Sequence, residues 1–311
     1  MLNNKNFLMS FVLCCLFQQA QAEVLVILPE SGPMARAGLS VKQGFMSAYQ
    51  ASDLKTKIKF VNSDQKSMAQ LLKQNVHAKT EMIVGPLARS EVESLIKLKP
   101  KVRVLALNEV NAQAENVWQF SLSKNDDANA LNQVLEEDKI KALYVLRQAG
   151  TEVENELFLM SLMGQFKHPV TIIETLPKKL DKKTGVLLLG NNTWLNAQEK
   201  LPPERLYILA NAVEQEQNLP QGIKFCDAPA LYGMLWPDVV QAYQKNPVGM
   251  PYQRLLAFGG DAWQITQRSI EHSEGGDFEF QGRTGFIQIS ANQIKRMPRC
   301  YAHTQKGLRT L

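Results

Sequence analysis

Val24-Leu25-Val26-Ile27-Leu28, running into Pro29-Glu30-Ser31-Gly32-Pro33, is the stretch on which the fold turns. The first five residues form a continuous β-rich apolar run, as expected of a strand covered on both faces of a parallel sheet. Ser31-Gly32-Pro33 breaks the strand, and Ser31 is placed to cap a helix whose apolar positions fall at Val41, Phe45, Ala48 and Tyr49. The unit then repeats. Ile58 to Val61 reads as a strand, and Met68, Leu71, Leu72, Asn75 and Val76 mark a helical face. Met82-Ile83-Val84 is the next strand, broken by Gly85-Pro86 before a helix with Val92, Leu95 and Ile96.

The rhythm continues past the middle of the chain. Val102 to Leu107 is a strand, and Val117 to Leu122 reads as a segment crossing between two units. A helix from Asp126 to about Glu137, a strand from Ala142 to Leu146, a helix from Glu152 to Phe166 and a strand from Val170 to Thr175 follow. Val186 to Leu189 and Leu206 to Ala210 are further strands, separated by a helix around Trp194 to Lys200. Such alternation implies open, mostly parallel sheets with helices on both faces. Its length and its two βα halves suggest two similar lobes.

The ends and the composition set the compartment. Lys5 precedes an apolar run from Phe7 to Phe17, and Ala20-Gln21-Ala22 supplies the small residues of a signal-peptidase site. The run falls short of the roughly 20 residues that span a bilayer. Residues 1–22 are therefore expected to be a cleaved signal peptide, with Glu23 the first residue of a periplasmic protein. Cys14 and Cys15 raise the alternative of an outer-membrane lipoprotein, which the bulky Phe11-Val12-Leu13 disfavour. A formal net charge of +5 over 311 residues predicts no nucleic-acid partner. Cys226 and Cys300 are the pair that survives cleavage. In an oxidising compartment they read as a disulfide, with two separately buried thiols as the alternative.

Signatures of catalysis are missing. There is no G-x-S-x-G elbow, and the bare Ser94-Leu95-Ile96-Lys97 string lies mid-helix without the motifs that accompany it in penicillin-recognising enzymes. His77, His168, His272 and His303 are scattered, without metal-ligand spacing. No phosphate-cradling glycine motif follows a strand. No catalytic residue, metal or cofactor is therefore predicted, and the chain reads as a binding protein rather than an enzyme.

Residues Ile27 to Gly38, with the strand running into S-G-P and a helix, resemble the opening of type I periplasmic binding proteins. Later pieces narrow the likeness. Ile83 to Leu87, Val104 to Asn108, and Trp118 to Ser123 followed by Asp126 and Ala128 resemble the penicillin-binding-protein activators of the LpoA/LppC type. So do Gly222 to Pro229, Ala257 to Trp263, Gly282 to Gly285 and Arg296 to Pro298. The resemblance implies a two-lobed α/β type I fold, with residues 23–117 and 230–290 in lobe 1 and 118–229 and 291–311 in lobe 2. It also implies a non-catalytic partner of a class A penicillin-binding protein that stimulates peptidoglycan cross-linking. Larger members of that family carry a helical-repeat domain ahead of this one and a lipid anchor. Neither is expected here.

Two lobes joined by crossing strands make a cleft, the usual place for a small ligand. Ser31, Arg36, Arg89 and Ser90 are expected at its mouth, and Asp261, beside Trp263, on its wall. Ser31 and Ser90 otherwise serve as helix caps, and Asp261 as a structural or surface acid. The alternative function is a periplasmic receptor for a solute such as an amino acid. A receptor should bring polar groups together from both lobes, and few are in evidence.

Overall fold

The computed structural model describes residues 23–311 apart from 55, 215–217, 273–275 and 292. The expected signal peptide and both early cysteines lie outside the described residues. Lobe 1 opens with β1 (Glu23–Leu28), α1 (Ala35–Ala51), β2 (Lys57–Asn62), α2 (Met68–Asn75) and β3 (Thr80–Val84). It continues through α3 (Arg89–Lys97), β4 (Arg103–Ala106) and β5 (Val117–Gln119). Residues 120–123 then cross to lobe 2. There α4 (Lys124–Glu137), β6 (Ala142–Arg147), α5 (Glu152–Gln165) and β7 (Val170–Ile173) are followed by β8 (Thr184–Leu189). Next come α6 (Asn192–Asn196), β9 (Leu206–Ile208) and β10 (Ile223–Asp227). The chain returns for α7 (Pro237–Lys245), α8 (Met250–Glu271), β11 (Phe278–Gln281), β12 (Phe286–Ser290) and β13 (Gln293–Met297). It crosses a third time at Pro298 and ends in lobe 2 with β14 (Arg299–Thr304) and β15 (Gly307–Thr310).

The expected parallel sheets form. Lobe 1 has the order β2-β1-β3-β4-β5, every pair parallel. Lobe 2 has the order β15-β14-β10-β9-β8-β6-β7, in which β14 and β15 are antiparallel additions to a parallel core. All six residues of β1 are buried, so the opening strand is covered on both faces. Val24, Val26 and Leu28 pack under α1 and α8, and Leu25 and Ile27 under α2 and α3. The period of two in a strand divides these residues between opposite layers. On the first of these faces Trp263 meets Phe45 and Tyr49 edge-on, with ring centroids 5.3 and 4.9 Å away.

Four expectations change. Val117 to Leu122 is not all crossing chain, because Val117–Gln119 hydrogen-bonds to β4 as the edge strand of lobe 1 and the crossing begins at Phe120. Ser31 does not cap α1, which begins at Ala35 with Met34 in the cap position and no side-chain cap bond. The second lobe boundary also falls later than expected. β13 pairs with β12 in a three-stranded antiparallel sheet whose Phe280, Ile287 and Ile289 join the lobe 1 core. Finally, α8 spans 22 residues where the sequence offered only a family likeness. Gly259 and Gly260 at its centre disfavour an isolated helix by about 1 kcal/mol each. Tertiary contact explains them. A Cβ on Gly259 would stand 2.1 Å from the Val41 carbonyl oxygen of α1, and one on Gly44 would stand 1.9 Å from that of Leu256. The two helices approach backbone to backbone through these glycines.

Candidate functional site

In an open α/β sheet, ligands approach the carboxyl ends of strands where the strand order reverses. In lobe 1 that place lies between β1 and β3. Gly85, at the end of β3, has φ +96°, and a Cβ there would stand 2.0 Å from the Ile27 carbonyl oxygen of β1. Glycine alone suits so close an approach in that conformation. Pro86 and Leu87 follow, and a cleft of about 610 Å³ opens between the lobes at this point. Its lobe 1 wall combines the apolar Met34, Leu87, Leu255 and Phe258 with the polar Asn108, Glu109 and Asn111. Leu157 and Ser161 of α5 face it from lobe 2, and Arg89 and Lys124 are its cations.

The expected cleft residues separate. Arg89 lines the cleft. Ser31 is exposed and not among the cleft's lining residues, donating to Asp64 at 3.2 Å and accepting from Asn62 at 3.1 Å. Arg36 lies with its guanidinium 4.2 Å from the centre of the Tyr252 ring, an α1–α8 contact. Ser90 turns to a shallow groove with Ser67, Glu91 and Ser94. It is not a cap either, since Ala88 holds that position. Asp261 is fully buried and far from any ligand role. Its carboxylate accepts from the backbone N–H groups of Arg283 and Thr284, both at 2.7 Å, and from the Thr284 hydroxyl at 2.6 Å. Arg283 also reaches Asp238 at 2.7 Å, so this polar knot fixes the 282–285 turn to α7 and α8.

Two charged clusters missed at the level of sequence lie where the chain crosses between lobes. Arg296 of β13, 5% exposed, donates to Asp127 of α4 at 2.5 Å and to the Thr284 carbonyl at 3.2 Å. Asp126 lies 4.0 Å from the same guanidinium. Burial pushes its carboxyl up to about 6, and the Asp127 and Glu109 charges add to this while Arg296 opposes it. At the other crossing, Arg254 of α8 grips Asp227 at the end of β10, with Nε at 2.8 Å and Nη2 at 2.7 Å. Its Nη2 also donates to the Ala210 carbonyl at 2.6 Å, and the Tyr232 hydroxyl donates to Asp227 at 2.6 Å. Both clusters tie lobe 1 helices and strands to lobe 2. The Arg296-Met297-Pro298 and Asp126 positions carried a family likeness, but no local spacing announced that they meet.

Cys226 of β10 and Cys300 of β14 stand directly opposite on antiparallel strands and are joined, Sγ to Sγ, at 2.03 Å. Among the described residues, no cluster of three or more His, Cys, Asp or Glu side chains could hold a metal ion. None of the described helices is long and apolar enough to cross a membrane.

Two α/β lobes, three crossings and a cleft at the strand ends define a type I periplasmic-binding-protein-like domain. A model of the LppC family, described as a putative lipoprotein, matches residues 11–150. The penicillin-binding protein activator LpoA of Haemophilus ducreyi is 24% identical, covering 89% of this chain and 52% of that protein. The chain thus spans about half the length of the curated relatives it matches. The C-domain of LpoA from Haemophilus influenzae superposes with a TM-score of 0.74 at 18% identity, covering 93% of this chain and all of that domain. A putative branched-chain amino acid transporter protein of Chromobacterium violaceum gives 0.75 at 20% identity, with 91% and 100% covered. The resemblance to the penicillin-binding-protein activators of the LpoA/LppC type therefore holds in sequence and in fold, over their C-terminal part.

Proposed function

We propose that this chain is a non-catalytic regulator in the bacterial envelope that binds a class A penicillin-binding protein and stimulates its cross-linking activity. The observation that carries this reading is the ordered match to activators named for that role, along nearly nine-tenths of the chain. The cleft adds to it. A receptor for amino acids needs donors for the carboxylate and an acid for the amine, facing one another from both lobes. Here Asp261 is buried away from the cleft and Ser31 and Ser90 turn elsewhere, which leaves Glu109 as the acid among its lining residues. The charged clusters at the crossings add a second physical argument. A rotation of one lobe against the other must carry the Arg296–Asp127 and Arg254–Asp227 pairs along or break them. Breaking a buried pair by stranding one partner costs about 3–5 kcal/mol.

The deciding experiment is a titration of the purified chain against the periplasmic part of each class A synthase of the same organism, with glycan cross-linking followed in parallel. Saturable binding with faster cross-linking is the expected result. No binding to any synthase, with tight uptake of a small ligand instead, would overturn it. One feature favours that second reading, a solute receptor. Arg89 and Lys124 bring two cations to a cleft with apolar side chains on its lobe 1 wall, which suits an apolar carboxylic acid. In either case the chain is proposed to be exported and cleaved after Ala22, so that intact mass should place the first residue at Glu23 without a lipid.

A further inference from the structure

We infer that the outward face of α5, with the cleft mouth it borders, receives a segment of the partner protein that is apolar on one side and carries basic residues beside it. This rests on the reading that the chain binds a protein. Helix α5 is apolar on two sides. Phe158, Leu159 and Leu162 are buried against α4 in the lobe 2 core. On the opposite side Val153, Leu157 and Met160 are 93%, 63% and 62% exposed, and Met163 beside them is 52% exposed. Spacings of four and three residues align the first three along one stripe. A solvated helix back is ordinarily polar. This one holds apolar side chains along about 15 Å of helix, the length of three turns of a partner helix.

Three observations say what covers the stripe. Leu157 and Ser161 also line the cleft, so the stripe is continuous with the apolar side chains of its lobe 1 wall, Met34, Leu87, Leu255 and Phe258. A solute held inside the cleft would leave Val153 and Met160 bare, whereas a polypeptide laid along α5 would cover both. The amino end of the stripe is flanked by exposed Glu152, Glu154 and Glu156; Glu156 pairs with Arg147 at 3.5 Å and Glu154 accepts from the Asn211 amide at 3.2 Å, so among the described residues three acids face one cation there. An excess of carboxylates over cations beside an apolar stripe selects basic residues beside apolar ones in the partner. Two methionines add a surface that adapts to the shape laid upon it.

The test compares the full chain with the double variant Leu157→Glu/Met160→Glu in titrations against the synthase. Met234→Glu/Leu235→Glu serves as a control, since those side chains are 83% and 70% exposed in a different loop. Thermal melting checks that each variant folds, and sedimentation records its oligomeric state. We expect the α5 variant to bind at least tenfold more weakly, the control within twofold of the unaltered chain, and all binding to weaken as salt rises. Retained affinity in a folded α5 variant, while the unaltered chain binds, would overturn this inference alone. A chain that is dimeric until Leu157 and Met160 are replaced would assign the face to a second copy and overturn it too. Failure of the unaltered chain to bind any synthase would overturn the proposed function along with it.

Discussion

At the scale of single residues, burial sets what each charge can do. Asp126 titrates at about 6 in the fold against 3.8 when unperturbed, because its buried carboxyl pays more in lost hydration than Arg296 returns. The raised value fixes the sign. The folded state holds the proton more tightly than the unfolded one, so the contribution of Asp126 to stability is present below about pH 4. It is lost as pH rises through 6. The difference corresponds to at most about 3 kcal/mol, less whatever solvent screening reaches the site. Asp126→Asn should therefore match or exceed the unaltered chain in stability at pH 7.5, and the gap should close towards pH 4.5. Urea midpoints of both proteins across that range measure it. A variant weaker at every pH would show that the carboxylate is needed as a charge. Arg254 makes the opposite case. Arg254→Ala strands the Asp227 carboxylate, 5% exposed, and should cost about 3–5 kcal/mol in the same assay.

At the scale of elements, the glycines of the α1–α8 contact behave differently from one on an open helix face. Gly259→Ala or Gly44→Ala would force the two backbones apart, because the added methyl stands about 2 Å from a carbonyl oxygen. A loss of at least about 1–3 kcal/mol is expected. Gly164 of α5 has nothing within 4 Å of an added Cβ, and Gly164→Ala should instead stabilise by up to about 1 kcal/mol. Thermal midpoints of the three variants separate the two kinds of glycine, and equal losses at all three would contradict this packing account. The bond between β10 and β14 is likewise a property of paired strands. Labelling under denaturing, non-reducing conditions should find neither Cys226 nor Cys300 free. Its removal should cost about 4 kcal/mol in the chain-entropy picture of a loop this long.

At the scale of the molecule, the two lobes share three crossings, and two ion pairs tie the lobes beside them. Arg296 of the returning lobe 1 sheet holds the start of α4 just after the first crossing, and Arg254 holds the end of β10 before the second. A solute receptor must close by rotation about such a hinge. Here the crossings are braced, so millimolar leucine or benzoate should leave the radius of gyration in solution scattering unchanged. A measurable contraction with either ligand would favour the receptor reading and would require both pairs to travel with their lobes.

The βα rhythm, the parallel sheets and the division into two lobes can be read along the chain, because a strand covered on both faces and an amphipathic helix each write their own period over a few residues. The all-buried β1 and the helices under Val41 and Leu95 were legible for that reason. Arg89, three residues after Pro86, lines the cleft. The remaining features depend on contacts between distant segments. α8 is a helix despite Gly259 and Gly260 because α1 and Arg283 occupy the space their side chains would need. Asp261, expected on the cleft wall, turns inward because the 282–285 turn supplies the donors that make its burial tolerable. Arg296 and Asp127, separated by 169 residues, meet because the chain crosses three times between its lobes. Such a pair has no local spacing to read, and only the closed topology brings its charges into contact.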